Sequence, residues 1–138
     1  MISKERCKVN SKKLAREKAT EAILQAKKEK GLTFNDLAEA VGRHPVWTAS
    51  AIFGQATMDE EEAGKLVELL DLNHEIAETL QEIPYRGSLD ETIPVDPLLY
   101  RFYEIIQVYG KPMKEIIHEE FGDGIMSAID FNMDIKRK

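Results

Sequence analysis

The stretch LTFNDLAEAVGRHPVWTASAIFG, Leu32–Gly54, decides the fold of the first part of this 138-residue chain. It predicts a helix over residues 34–41, which Thr33 caps and Gly42 ends. A second helix over residues 45–53 follows at once and opens on a proline, a residue favoured in the first helical turn. Two short helices joined by a turn that contains glycine are typical of a helix-turn-helix.

Helical patterns continue on both sides of this pair. Apolar residues recur at helical spacing in three further segments that begin or end at capping residues or breakers. These segments are 12–30 with Ser11 as its cap, 60–70 starting at Met58 or Asp59, and 75–82 with Asn73 as its cap. The first 84 residues therefore predict five helices in a compact bundle, which is similar to the repressor-type DNA-binding fold.

The charge of this bundle argues against DNA as its partner. The chain has a net charge of −6, but residues 1–30 hold ten Lys or Arg against four Glu, whereas residues 31–84 hold two against eleven acids. A helix that reads DNA must help to neutralise phosphates, and residues 45–53 contain no Lys or Arg. We therefore expect no nucleic-acid partner. The basic residues before 31 could contact nucleic acid, but we interpret them as a solvated face. The apolar residues of the second helix are interpreted as core or as a protein contact: Trp47, Ile52 and Phe53.

The composition is that of a globular protein of the cytoplasm. Hydrophobic residues make up 43% and charged residues 32%, and no apolar run approaches the roughly 20 residues that a membrane helix needs. Residues 1–10 lack the apolar core of a secretory signal, and the single Cys7 has no partner for a disulfide. We expect neither a membrane partner nor an oxidising compartment.

A connector rich in proline and glycine, residues 85–97, follows the helical bundle. It predicts a boundary between a helical domain over residues 1–84 and a second domain over residues 85–138. Two helices are predicted in the second domain, over 97–109 with Asp96 as cap and Gly110 as stop, and over 112–120.

The chain then passes through Gly122-Asp123-Gly124 into residues 125–136, where apolar and polar residues alternate. This alternation predicts a strand with one buried face, so the fold class is α+β and mainly α. Ser127 lies within the apolar face, where a hydroxyl needs a partner or a ligand. A lone strand leaves its backbone groups unpaired, so its partner must come from another chain or from residues after Lys138.

The second domain also carries a charge pair. Arg101 and Glu104 lie three residues apart on one helix face, either as a surface ion pair or as an anion site. In the second interpretation the planar guanidinium binds a carboxylate-like substrate, Glu104 orients it, and Ser127 donates to a developing oxyanion. Spacings suited to a metal are not found among the three histidines: His44, His74 and His118.

The sequence resembles the cyanase (cyanate hydratase, cyanate lyase) family. The resemblance rests on IPVDPLLYRFYEIIQVYGKPMKEIIHEEFGDGIMSAIDFNMDIKRK, Ile93–Lys138, and more loosely on LTFNDLAEAVG and AIFGQATM in the first half. It implies a repressor-like helical domain that does not bind DNA, joined to a small dimerisation domain whose strands interlock between subunits. Family members continue past this strand, so a chain ending at Lys138 is expected to lack part of that sheet, which puts assembly and activity at risk.

The resemblance also implies a reaction and a site. Family members assemble as decamers and convert cyanate and bicarbonate into carbamate and carbon dioxide, and carbamate then gives ammonia and carbon dioxide. The family's catalytic Arg, Glu and Ser fall by motif on Arg101, Glu104 and Ser127, and the resemblance implies no cofactor or metal. The alternative is a non-catalytic helix-turn-helix regulator or protein-interaction module, against which the acidic bundle and the complete Arg/Glu/Ser set argue.

Overall fold

The computed structural model describes the backbone of residues 2–84 and 92–138, and the side chains from residue 11 onward within those ranges. Most of the predicted connector and the side chain of Cys7 therefore lie outside the description. The described residues form six helices. They are α1 Ile2–Glu29, α2 Phe34–Val41, α3 Pro45–Ile52, α4 Glu60–Leu70, α5 His74–Gln81 and α6 Pro97–Phe121.

The chain divides into two compact units. The described residues of the first unit are 2–84 and 132–138, and those of the second are 92–131. The predicted domain boundary after residue 84 lies beside residues outside the description, and it stays a prediction.

The predicted helix-turn-helix is confirmed. α2 begins with a capping box, in which Asp36 N donates to Thr33 Oγ1 at 3.2 Å and Thr33 N donates to Asp36 Oδ2 at 2.7 Å. It ends at Gly42, whose φ of 83° is left-handed and whose N–H donates to Ala38 O at 2.8 Å. α3 then begins on Pro45, as the proline predicts.

The next two helices also begin where their caps predict. Asp59, rather than Met58, caps α4, because its side chain accepts from Glu62 N at 2.8 Å while Glu62 accepts from Asp59 N at 3.0 Å. Asn73 caps α5 by accepting from Ile76 N at 3.3 Å. The apolar faces of α2 to α5 pack together with α1 around one core. Its fully buried large side chains are Ile23, Leu37, Ile52, Met58, Leu66 and Leu80.

The predicted start of α1 was wrong. The helix begins at Ile2, not at residue 12, so Ser11 lies inside it and not at its start. Residues 2–10 contain neither Gly nor Pro and are rich in Lys, Arg and Glu, which propagate a helix with little cost. A serine is a good cap, but it does not stop a helix that can continue through it.

The interpretation of the basic residues of α1 as a solvated face was wrong for Arg16. This side chain is 9% exposed. Its guanidinium donates to Thr79 O at 2.6 Å near the end of α5, to Ala51 O at 2.9 Å in α3, and to Ala56 O at 2.8 Å in the following loop. Burial lowers the pKa of Arg16, and the nearby Glu82 carboxylate opposes that shift. One cation thus joins α1 to carbonyl groups at the ends of two other helices, where positive charge is favourable.

We predict that Arg16→Met lowers the free energy of unfolding by roughly 2–4 kcal/mol, because it strands buried carbonyl groups that accepted from a charged donor. Lys13→Met is the matched control on the same helix, since the Lys13 side chain is 61% exposed, and it should change stability by about 0.5 kcal/mol or less. Urea unfolding of the two variants and the parent chain measures the difference. Equal stabilities of the two variants would contradict this role of Arg16.

The two helices predicted over 97–109 and 112–120 are one continuous helix, α6, so Gly110 does not end a helix. A glycine inside a helix costs about 1 kcal/mol, and Pro112 removes one hydrogen bond without ending the helix here. The apolar stripe keeps its helical phase across both residues, from Phe102 to Ile116, which favours continuation over a break.

Residues 122–138 contain no regular secondary structure in the described single chain, and a bend at residues 128–130 interrupts them. The strand predicted over 125–136 therefore stays a prediction. A strand requires a neighbouring backbone to pair with, and the source of that neighbour also stays a prediction.

Candidate active site

The start of α6 positions the charge pair. Asp96 caps the helix, and its Oδ1 accepts from Leu98 N at 2.9 Å and from Leu99 N at 3.0 Å. The cap fixes the first turn, which Pro97 opens with its preset φ. Arg101 and Glu104 follow in the second turn, where residues three apart share one helix face.

Arg101 Nη1 donates to Glu104 Oε2 at 2.5 Å. The hydrogen bond to Glu104 raises the pKa of Arg101, and the Glu104 charge and a smaller effect of Tyr100 act in the same direction. The guanidinium is therefore positively charged at any physiological pH.

The Arg101 side chain is open to a ligand. It is 71% exposed, whereas Glu104 is 37% exposed. Within the described residues its hydrogen bond is the one to Glu104, so the remaining N–H groups of the fork face solvent. A planar fork with free donors can bind a small anion through two parallel hydrogen bonds. The structure thus confirms that Arg101 and Glu104 are paired on one face, as the sequence predicts.

Ser127 has a different environment. Its Oγ accepts from Ile129 N at 3.3 Å and from Asp130 N at 3.1 Å, and its side chain is exposed. Two amides directed at Oγ occupy its acceptor sites and leave the hydroxyl hydrogen free to donate. The hydroxyl can therefore donate to an anion. Neither Arg101 nor Glu104 forms a hydrogen bond with Ser127 in the described residues.

Helix length accounts for this separation. Phe121 follows Arg101 by twenty positions along α6, which corresponds to about 30 Å of helix. The six residues from Phe121 to Ser127 reach back at most about 21 Å if fully extended, and the turn at 122–124 shortens that reach. The single chain therefore brings Arg101 and Glu104 together and leaves Ser127 apart from them.

Among the described residues, no group of three or more His, Cys, Asp or Glu is arranged to hold a metal ion. Within the same residues, no helix is long and apolar enough to cross a membrane.

The fold and the site together define a class: a helix-turn-helix bundle followed by a separate long helix that presents an Arg–Glu pair suited to small anions. The chain belongs to the cyanate hydratase (cyanate lyase) family. Residues 16–84 match the family model described as "Cyanate hydratase, N-terminal", and residues 91–138 match the one described as "Cyanate lyase C-terminal domain".

Individual relatives agree with this membership. The cyanate hydratase of Synechococcus sp. (strain CC9311) is 58% identical over 118 residues, 86% of this chain and 79% of that protein. The cyanate hydratase of Thiobacillus denitrificans (strain ATCC 25259 / T1) is 52% identical over 125 residues, 91% of this chain and 85% of that protein. A crystal structure of cyanase from T. urticae matches with a TM-score of 0.77 and 43% identity, over 84% of this chain and 83% of that one.

These similarities confirm the predicted family and fold class. The roles of Arg101, Glu104 and Ser127 stay predictions. The sequence did not predict that Gly124 packs against Ile117 near the end of α6. A Gly-Asp-Gly run by itself indicates no more than a turn.

Proposed function

We propose that this chain decomposes cyanate in a bicarbonate-dependent reaction. A bicarbonate oxygen forms a bond to the cyanate carbon, and the cyanate nitrogen receives two protons, one from bicarbonate and one taken up from solution. The bond between that oxygen and the bicarbonate carbon then breaks, which releases carbon dioxide and leaves carbamate. Carbamate then takes up a second proton and gives ammonia and a second carbon dioxide. Membership of the cyanate hydratase family is the observation that carries this proposal.

The charge pair suits the main electrostatic difficulty of this reaction. Cyanate and bicarbonate are both anions, and two unit charges 4 Å apart repel by about 4 kcal/mol near a protein surface. A guanidinium that stays charged offsets this repulsion and can hold both anions at bonding distance. Arg101 is exposed and paired with Glu104, which supports this role.

We assign the other two residues by the same chemistry. Glu104 holds the Arg101 fork in one orientation through its 2.5 Å hydrogen bond. Ser127 donates its hydroxyl hydrogen to a substrate oxygen or nitrogen, because the amides of Ile129 and Asp130 already occupy the acceptor sites of Oγ. Bicarbonate supplies the nucleophilic oxygen, so the proposed reaction uses no cofactor or metal and proceeds in the cytoplasm without a nucleic-acid or membrane partner.

We further propose that the site is shared between chains of a homodimer and of a homodecamer. The length of α6 keeps Arg101 and Ser127 of one chain apart, so a site that contains both draws them from different chains. An apolar stripe on α6 with helical spacing supports self-association, since none of its side chains is buried in the single chain. Its members are Phe102, Ile105, Ile106, Tyr109, Met113 and Ile116.

The function is tested by ammonia release from cyanate, with and without added bicarbonate, on particles sized by light scattering. Release that depends on bicarbonate is expected. Folded, assembled protein that releases no ammonia under either condition would refute the proposed reaction.

We predict that Arg101→Ala abolishes turnover and leaves the particle mass unchanged, because the exposed Arg101–Glu104 pair contributes to charge compensation and not to packing. Arg101→Lys keeps the charge but loses the planar fork, so it should retain a small part of the activity. Steady-state ammonia release and light scattering measure both properties. Full turnover of the alanine variant would exclude Arg101 from the site.

We also predict that two inactive chains complement each other. Arg101→Ala and Ser127→Ala chains, unfolded and refolded together, should recover part of the parent turnover, since some sites then combine an intact Arg101 with an intact Ser127. The matched control refolds Arg101→Ala chains with chains that carry both substitutions, which cannot form a complete site. If the mixed particles contain both chains and show no more activity than this control, the site is not shared between chains.

A further inference from the structure

The chain leaves α6 through two glycines with left-handed backbone. Gly122 has φ 78° and its N–H donates to His118 O at 3.1 Å, which closes the last turn of the helix. Gly124 has φ 62°, a conformation that an L-residue rarely adopts. Ser127 follows three residues later, so its position depends on the path through this turn.

Gly124 differs from the other glycines of the described residues in how little space it leaves for a Cβ atom. A Cβ at Gly124 would lie far inside the contact distance of Ile117 Cγ2, on the last turns of α6. A Cβ at Gly122 would meet nothing within 4 Å. Ile117 is half-buried and β-branched, and a β-branched side chain in a helix has one strongly preferred rotamer. It therefore cannot swing aside at low cost to admit a methyl group.

We propose that the contact between Gly124 and Ile117 positions Ser127 for the reaction. Gly124 packs its bare α-carbon against Ile117, and this contact sets the direction in which the chain continues toward Ser127. Gly124 and Ile117 are positioning residues, since neither touches a reacting atom. The inference rests on the proposed role of Ser127 in cyanate decomposition.

The arrangement beyond Gly124 transmits this constraint to the hydroxyl. The Oγ of Ser127 accepts from the amides of Ile129 and Asp130 at 3.3 and 3.1 Å, so residues 127–130 form one short hydrogen-bonded unit that follows the glycine turn. A methyl group at position 124 pushes that unit away from α6, because Ile117 belongs to the helix and cannot retreat. A misplacement of about 1 Å can lower turnover by about a hundredfold.

The test is substitution and rescue. Gly124→Ala should lower kcat by about tenfold to a hundredfold without changing the particle mass. Adding Ile117→Leu removes the β-branch that meets the new methyl group and should recover most of the loss, leaving the cost of the positive φ. Full activity of Gly124→Ala overturns the inference, as does a loss that Ile117→Leu, tolerated on its own, does not relieve.

Gly122→Ala is the matched control. It also forces an alanine into a positive φ, but its methyl group meets open space, so Ile117→Leu should not improve it. Equal rescue of the Gly122 and Gly124 variants would show that the leucine acts on α6 in general and would overturn the inference.

A readout without substrate separates this inference from the proposed function. Amide hydrogen exchange of residues 125–130 in the assembled protein should speed up in Gly124→Ala and return toward the parent rate in the double variant. If the parent chain releases no ammonia from cyanate, the proposed function fails while exchange still reports on the contact. If exchange is the same in all variants, the contact does not position this segment.

Discussion

The uninterrupted length of α6 is the constraint on which the functional interpretation depends. About 30 Å of helix separates Arg101 from Phe121, and a helix of regular hydrogen bonds does not fold back on itself. Had Gly110 ended a first helix, the second could have turned back and carried Ser127 toward Arg101. Because the helix continues, Arg101 and Ser127 of one chain lie apart, which supports the proposed sharing of the site between chains, and the exposed apolar stripe of the same helix offers a surface on which a second chain can pack.

Two arginines of this chain show how burial decides what a guanidinium group can bind. Arg16 is buried, its two terminal nitrogens donate to backbone carbonyl groups, and burial lowers its pKa. Arg101 is exposed, shares one N–H with Glu104, and has a raised pKa. A buried cation whose terminal nitrogens donate to carbonyl groups of other helices holds those helices together. An exposed cation whose fork remains available can bind an anion.

The sequence predicts the starts of the helices after α1 well, because a helix cap is decided by a few neighbouring residues. Thr33, Asp59 and Asn73 cap the helices that follow them, as their side chains and spacing indicate. The paired Arg101 and Glu104 could be predicted for the same reason. The burial of Arg16 could not, since its acceptors lie 35 to 63 residues away along the chain. Whether Gly110 and Pro112 interrupt α6 depends on the whole apolar stripe around them, which a search for single breakers does not weigh.

The positions of the three proposed site residues relative to α6 also limit how chains can meet if they share a site. Arg101 and Glu104 lie near the start of the helix, and Ser127 follows its end by six residues. These six residues span at most about 21 Å, so a shared site requires the start of one α6 to lie near the end of another. A pair of helices arranged start to start would leave every Arg101 without a serine. A shared site would therefore favour packing of the apolar stripe in which the start of one α6 meets the end of another.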